Sequence, residues 1–183
     1  MKKIIVCCSA FCILSVLAFP QDGSPRIFAI PGYGQLLLQV PEAWKGELVQ
    51  PADNRPPTVI ITPVNTAPFK VMINVGTVTP EVMQELDAET LRQMAESAAM
   101  NATAHTVEKS LAVKELTGPA LRGFYFSASE RAPGENDFLF MTHGIARLEN
   151  MMLVFSIYTN AGQEAVVQAA LEMLRAMTLR PGG

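Results

Sequence analysis

The residues that could carry metal chemistry are few and lie far apart in the sequence. His105 and His143 are the only histidines of the 183-residue chain. A zinc site takes three or four protein ligands, including a pair at short spacing, and these two histidines do not provide that pair. We therefore predict no bound metal and interpret both histidines as hydrogen-bonded polar side chains.

The chain has ten methionines, whose thioether sulfurs could in principle bind copper. Most of them fall where the surrounding pattern predicts a strand or a helix that needs core filling: Met72, Met94, Met141, Met151, Met152, Met173 and Met177. An unbranched, polarisable side chain fills irregular gaps in a core well. We predict packing, and not copper binding, for these methionines.

Motifs for phosphate binding and for nucleophilic catalysis are also missing from the sequence. Gly32-Tyr33-Gly34 precedes a predicted strand and not a helix, so it cannot direct helix N–H groups at a pyrophosphate. The chain has no Gly-x-Ser-x-Gly elbow, and Ser127 and Ser156 fall within predicted strands. We therefore predict that the protein is not an enzyme and has no catalytic residues and no cofactor.

Carboxylates cluster at one predicted turn. Glu130, Glu135 and Asp137 flank Pro133-Gly134, but their spacing differs from that of a calcium-binding loop. The pattern predicts a solvated polar loop at Glu130–Asn136.

The N-terminal segment has the pattern of a secretory signal. Lys2 and Lys3 precede an apolar run from Ile4 to Phe19, and Val16 and Ala18 are small residues at the positions that a signal peptidase reads. The run is short for a membrane anchor, which needs about 20 apolar residues. A lipoprotein signal needs small residues directly before the modified cysteine, and the cysteines of this segment do not have them.

Cleavage after Ala18 would divide the chain into three parts. These are a signal peptide (1–18), a flexible mature N-terminus (19–25) and a single domain (26–180). We therefore expect a periplasmic or secreted protein without a stable membrane anchor after cleavage.

Composition excludes several further classes of protein. All three cysteines, Cys7, Cys8 and Cys12, lie in the signal, so the mature protein has no disulfide and no thiolate metal site. With 17 acidic and 14 basic residues and no basic cluster, the chain is not expected to bind nucleic acid. Hydrophobic residues make up 49% of the sequence, which predicts a well-filled core.

Hydrophobic periodicity predicts the elements of the first half. Alternating patterns, broken by a proline-rich loop at Gln50–Pro57, predict the strands Arg26–Ile30, Gln35–Val40, Gly46–Gln50, Thr58–Pro63 and Phe69–Val75. The period then lengthens to about 3.6 residues, which is typical of helices. Thr79 and Asp87 are predicted N-caps of a short helix and of a longer one from Ala88 to Asn101.

The second half returns to strands. The predicted strands are Thr106–Glu115, Leu121–Ser129, Asp137–Leu148 and Met151–Thr159. The last two form a predicted hairpin in which Leu148 faces Met151, Gly144 faces Phe155 and His143 faces Ser156. Asn160 and Gln163 then resemble the capping box of a C-terminal helix.

The last hairpin carries apolar side chains on both of its faces, so the sheet must be covered on both sides. Two helices, separated in the sequence by four strands, can supply these covers. The predicted fold class is α+β, a single-domain α/β/α sandwich whose largely antiparallel sheet has one helix on each face.

One local motif and the order of the elements resemble a known family. The segment Val40-Pro41-Glu42-Ala43-Trp44 after an apolar strand, followed by this series of strands and helices, is similar to the PsbP-like superfamily, and within it to bacterial periplasmic proteins of DcrB type. The resemblance covers Arg26 to Leu179. It implies an accessory or binding role, because this superfamily mostly supplies non-catalytic docking modules.

The sequence thus predicts an exported, non-catalytic accessory or protein-interaction module of the bacterial cell envelope, which docks on another envelope protein through loops such as Gln50–Pro57 and Glu130–Asn136. The candidate contacts are Trp44, Asp53, Arg55, Arg131 and Glu135. Trp44 is expected either to plug the core or to form a half-exposed contact. The alternative function is that of a periplasmic carrier, with a small apolar ligand held between the sheet and the alanine-rich helix.

Overall fold

The computed structural model describes residues 23–52, 55–76 and 78–181. The predicted signal peptide and most of the predicted flexible N-terminus lie outside these residues. The elements in chain order are β1 (Gly23–Ile30), β2 (Gly34–Pro41), β3 (Trp44–Val49), β4 (Thr58–Pro63), β5 (Lys70–Gly76), α1 (Pro80–Glu85), α2 (Ala88–Ala102), β6 (Lys114–Thr117), β7 (Leu121–Ser129), β8 (Phe140–Leu148), β9 (Met151–Thr159), α3 (Glu164–Arg175) and β10 (Thr178–Arg180).

Seven strands form one large sheet in the order β3-β4-β5-β9-β8-β7-β6. All neighbouring strands in it are antiparallel. Helices α1 and α2 lie in the connection between β5 and β6. The predicted class, α+β with an antiparallel sheet between helices, is confirmed.

The register of the β8–β9 hairpin is also confirmed. Leu148 pairs with Met151, Gly144 with Phe155 and His143 with Ser156. A Cβ atom added at Gly144 would clash with Cζ of Phe155, so the phenyl ring occupies the space above the glycine. Only glycine at this position leaves room for the ring.

A second, smaller sheet was not predicted. It has the order β1-β2-β10, and its third strand is only three residues long, Thr178–Arg180. Strand β1 begins at Gly23, three residues before the predicted domain boundary at Arg26, because it pairs with the full length of β2. The chain passes from the small sheet to the large one between Pro41, the last residue of β2, and Trp44, the first of β3.

The small sheet and α3 cover one face of the large sheet. Their buried side chains and those of the large sheet form a single hydrophobic cluster, which includes Leu36 of β2, Phe155 of β9 and Leu171 of α3. All three side chains are buried. This is the face on which most of the hydrophobic core lies, and α1 and α2 pack on the opposite face.

The prediction of a strand over Thr106–Glu115 is wrong for most of its length. Only an isolated bridge between Thr106 and Glu130 and the short β6 form there. The side chain of Glu108 takes the place of a strand carbonyl, because its carboxylate accepts hydrogen bonds from the Ser129 backbone N–H (3.0 Å) and hydroxyl (2.7 Å). A local side-chain acceptor of this kind competes with regular pairing.

Both predicted caps of α1 and α2 form. The Thr79 hydroxyl oxygen accepts from the Val82 N–H, and the Asp87 carboxylate accepts from the Thr90 N–H at 2.8 Å. This bond from Thr90 lowers the pKa of Asp87, which lies at the positive end of the helix.

Only half of the predicted capping box forms at α3. Oε1 of Gln163 accepts from the Asn160 N–H at 2.7 Å, but the Asn160 side chain accepts from the Leu139 N–H instead. Among the described residues, no helix is long and apolar enough to span a bilayer.

Candidate functional site

The α2 side of the large sheet is only partly covered by helices. Its two buried clusters join α1 and α2 to side chains of β7, β8 and β9. Within the described parts of the chain, neither cluster contains a residue of β3, β4 or β5. We call this uncovered part, the α2-side surface of β3, β4, β5 and the adjoining β9, the open face.

The open face carries a mixture of half-buried apolar and polar side chains. Cross-strand pairing places Ile60 beside Met72, Met72 beside Ser156, and Lys70 beside Tyr158. Ile60, Met72 and Tyr158 are all half-buried. Apolar side chains of this kind on a sheet surface give a partner area to bury.

A groove of about 490 Å³ runs along α2 beside β8. The side chains that line it are Thr90, Gln93, Met94, Ser97, Ala98, Asn101 and Ile145. Its helix side therefore combines polar side chains with the apolar Met94 and Ala98, and Ile145 of β8 contributes an apolar floor.

A cavity of about 400 Å³ lies near the C-terminal end of α2. Its lining residues are Thr106, Ala128, Glu130, Ala132, Asp137, Phe138, Phe140, Met141 and Tyr158. The rings of Phe138 and Tyr158 lie 5.9 Å apart between centroids. Two of the lining residues, Ala128 and Met141, belong to the hydrophobic cluster at the C-terminal end of α2, so the cavity lies beside this end of the helix.

His143 lies between the groove and the cavity. It is on the same face of β8 as Met141, which lines the cavity, and Ile145, which lines the groove, because alternate residues of a strand share a face. Its Nδ1 atom lies 2.9 Å from the Ser156 hydroxyl oxygen, and its ring lies 5.6 Å from that of Phe126. Burial lowers the pKa of His143, so the neutral ring is favoured at neutral pH.

The His143–Ser156 pair is suited to structure and recognition. Ser156 is buried, with 7% of its surface exposed, and it lies in the middle of a central strand. A nucleophile must be reached by its substrate and needs oxyanion donors nearby. The described residues contain no group of three His, Cys, Asp or Glu side chains placed to hold a metal ion.

Trp44, the first predicted contact, is part of the core. It is 7% exposed, and its ring lies 4.7 Å from that of Phe69. Its carbonyl accepts a hydrogen bond from Arg26 at 3.3 Å, which holds β1 against the start of β3. Of the two roles that the sequence left open, the structure therefore favours the core role, and Trp44 does not form a surface contact.

Two further predicted contacts belong to the loop between β3 and β4. Asp53 lies outside the described residues, and Arg55 is exposed. This loop follows Val49, whereas the Glu130–Asn136 loop follows Ser129 at the opposite end of the sheet. The structure thus separates the two loops on which contacts were predicted.

Arg131 has a structural role that the sequence did not reveal. Its guanidinium donates to the Thr106 carbonyl at 2.7 Å and 3.0 Å and to the Thr103 carbonyl at 3.1 Å. These carbonyls follow the C-terminal end of α2, so Arg131 fastens this end to the loop after β7. Glu135 is exposed on the same loop and does not line the cavity.

Sequence reasoning missed the aromatic side chains of the cavity. Phe138 and Phe140 were included in a predicted strand that began at Asp137, but β8 begins at Phe140. The available signal was the apolar run Phe138-Leu139-Phe140, because neighbouring strand residues cannot all face one core. Phe140 and Leu139 are each 37% exposed.

The comparison with solved structures shows what this architecture resembles. The solution structure of cyanobacterial PsbP (CyanoP) from Synechocystis sp. PCC 6803 aligns with a TM-score of 0.54 and 9% sequence identity, over 86% of this chain and 94% of the other. The fold is PsbP-like. The predicted resemblance is confirmed at the level of the fold.

Two further structures also align with this chain. A crystal structure from Bacteroides thetaiotaomicron VPI-5482 gives a TM-score of 0.50 and 12% identity over 85% of this chain and 48% of the other. The crystal structure of LpqN, involved in cell envelope biogenesis of Mycobacterium tuberculosis, gives a TM-score of 0.45 and 14% identity over 90% of this chain and 88% of the other. Neither a protein-family profile nor a curated protein sequence matches the chain. Identities this low show a shared fold alone.

Proposed function

We propose that the protein is an exported, non-catalytic interaction module of the bacterial cell envelope and that it docks a partner protein on the open face. The observation that carries this proposal is the unequal covering of the large sheet. The small sheet and α3 cover one face, whereas α1 and α2 leave β3, β4 and β5 uncovered on the other.

The composition of the open face supports a protein partner. Met72 and Ile60 offer apolar area, and a methionine side chain adapts its shape to the surface that it meets. Around them, Lys45 and Glu47 of β3 are exposed and of opposite charge. An apolar centre with a polar rim is the usual arrangement of a protein interface.

Export and the DcrB-like branch are further parts of the proposal. Export rests on the charged start, the apolar run and the small residues before Phe19. The DcrB-like assignment rests on the Pro41-x-x-Trp44 step, which forms the corner between the two sheets. The PsbP-like fold is compatible with both parts.

The alternative of an apolar ligand between the sheet and the alanine-rich helix receives no support at that location. Ala95 and Ala99 of α2 are 1% and 4% exposed, and Ala99 packs in a cluster with Phe126 and Ala128 of β7. These small side chains bring the helix close to the sheet, so the space directly beneath them is filled.

Site-specific photo-cross-linking tests the proposed docking. A photoreactive phenylalanine analogue replaces Ile60 on the open face or, as a matched control, Ile27 of β1, which is 54% exposed outside this face. The full chain is expressed in its native host, irradiated and examined for discrete adducts. We expect an adduct from position 60 and none from position 27.

A second experiment tests whether the adduct depends on the open face. In the chain that carries the photoreactive residue at position 60, Met72→Glu on the same face should remove the adduct, while Ile27→Glu should retain it. Both variants should keep the melting temperature within a few degrees of wild type because neither residue is fully buried. Adducts of equal yield at positions 60 and 27, or an unchanged adduct in folded Met72→Glu, would contradict docking on the open face.

A further inference from the structure

The cavity near the end of α2 has the size and walls of a small-molecule site. Its volume of about 400 Å³ is within the range of known ligand pockets. Phe138, Tyr158 and Met141 line it, and the first two rings lie 5.9 Å apart. Aromatic faces and a thioether are polarisable surfaces that attract cations as well as apolar groups.

The charged residues in the lining are both acidic. Glu130 and Asp137 contribute carboxylates, and no lysine or arginine of the described chain is among the lining residues. One oxygen of Asp137 accepts from the Gly134 N–H at 2.9 Å, which fixes this carboxylate at the turn. Two carboxylates beside aromatic rings favour a positively charged ligand.

Two basic side chains near the cavity, Arg131 and Lys70, are not part of its lining. The Arg131 guanidinium is directed at the Thr103 and Thr106 carbonyls by its three hydrogen bonds. Lys70 pairs with Tyr158 across β5 and β9, but it is outside the cavity lining.

We propose that this cavity binds a small organic cation, an amine or quaternary ammonium group attached to an apolar or aromatic body. The body packs against Phe138, Tyr158 and Met141, and the cation faces Glu130 and Asp137. This site adjoins the open face, with which it shares Tyr158, but it does not depend on docking there. Its location differs from the space between sheet and helix in which the sequence placed an apolar ligand.

The proposal distinguishes cationic ligands from neutral and from metallic ones. A neutral apolar ligand would gain nothing from the carboxylates. A divalent metal ion would need more oxygen ligands than the two carboxylates supply.

Nuclear magnetic resonance titration of the full-length exported protein with phenethylammonium tests the proposal. The neutral analogue 2-phenylethanol has the same ring and chain length without the charge. We expect phenethylammonium to shift backbone resonances around Phe138 and Tyr158 in a saturable manner and 2-phenylethanol to bind about threefold more weakly or worse. Added sodium chloride should weaken only the binding of the cation.

Paired variants locate the charge. Glu130→Gln should weaken phenethylammonium binding by about threefold and leave 2-phenylethanol unaffected, because a single partly exposed charge interaction is worth about that much. Glu135→Gln is the matched control, because Glu135 is on the same loop but outside the lining. It should bind both compounds as wild type does.

Three outcomes would overturn the proposal. Equal affinity for the two compounds would define an apolar site, and shifts away from the cavity would exclude it as the site. Much tighter binding of Nα-acetyl-lysine methylamide than of phenethylammonium would assign the cavity to the lysine of a peptide partner. A loss of cross-linking at Ile60 would leave this inference standing, so the two proposals fail separately.

Discussion

At the scale of single residues, Phe155 packs directly over a glycine of the neighbouring strand. It is 1% exposed and fills the space that a side chain at position 144 would occupy. Gly144, which lies opposite, has no side chain that could fill the space of the lost ring. Phe155→Ala should therefore leave a cavity and lower the free energy of unfolding by about 3–5 kcal/mol. Urea denaturation followed by circular dichroism measures this loss.

Phe140→Ala serves as the control, since Phe140 is 37% exposed. Its loss of stability should be clearly smaller than that of Phe155→Ala. A loss below about 1 kcal/mol for Phe155→Ala would be incompatible with this packing.

His143 gives the fold a pH dependence of known sign. Burial lowers its pKa below the ordinary value of 6.5, so protons bind more strongly to the unfolded chain. The stability from the neutral ring is fully present above pH 6.5 and decreases as the pH falls through that value towards the lower folded pKa. When the pH is lowered from about 7.5 to 5.5, the melting temperature of the wild type should therefore fall by more than that of His143→Gln.

Carboxylates with lowered pKa values affect stability in a different, more acidic pH range. Burial raises the pKa of Glu108, but the hydrogen bonds from Ser129 outweigh this effect and lower it below its ordinary value of 4.5. Stability from such a group is lost only as the pH falls below about that value. Parallel pH curves for wild type and His143→Gln would show that the imidazole is not involved.

At the scale of elements, arginines from other parts of the chain cap the C-terminal ends of α1 and α2. Neither α1 nor α2 has a basic residue in its last turn. Arg147 of β8 instead donates to the Met83 and Leu86 carbonyls at the end of α1, and Arg131 donates to the Thr103 and Thr106 carbonyls after α2. These cations satisfy free carbonyls at the negative ends of the helices and join the helices to the sheet.

Arg131→Ala should therefore destabilise the fold by about 1 kcal/mol, since a charged donor leaves two carbonyls without this partner. Arg131→Lys should not restore the stability, because a single ammonium group cannot reproduce the fork of donors. Thermal unfolding measures both effects. Arg92→Ala, which removes an exposed pair with Glu96 on the same helix, should lose less stability than Arg131→Ala, because solvent screens the exposed pair, and it is the control. Equal losses for Arg131→Ala and Arg92→Ala would refute the special role of Arg131.

Elements with strong local signals were predictable from the sequence. The strand Leu121–Ser129 and the β8–β9 register follow from alternation, and the caps Thr79 and Asp87 follow from their side chains. Strand β10 was not predictable, because three residues carry no period and their pairing partner, β2, lies far away in the sequence.

The candidate site was less predictable than the elements. Periodicity identifies which side chains share a face, but it does not say how many strands a helix covers, so the open face could not be inferred. The role of Arg131 depends on carbonyls that lie 25 and 28 residues away. The cavity similarly unites Thr106, Phe138 and Tyr158 from separate elements.

At the scale of the whole molecule, the positions of the cysteines make the absence of a disulfide depend on removal of the signal. All three cysteines precede Phe19. If the signal is removed, the mature protein should begin at Phe19 in N-terminal sequencing and should melt at the same temperature with and without dithiothreitol. A chain that retains Cys12, or a melting temperature that depends on the reductant, would contradict cleavage after Ala18.

The strand order of the large sheet has a consequence for how the chain folds. Strands β3–β5 and strands β6–β9 form two local meanders, which meet only where β5 pairs with β9. The β5–β9 pairing brings together Ile73 and Phe155, which are far apart in the sequence. During folding it should therefore form later than the tight turn between Leu148 and Met151. Until then, two apolar strands present unpaired backbone edges to other chains. Aggregation during refolding should begin at these edges, in the middle of the finished sheet and not at its borders.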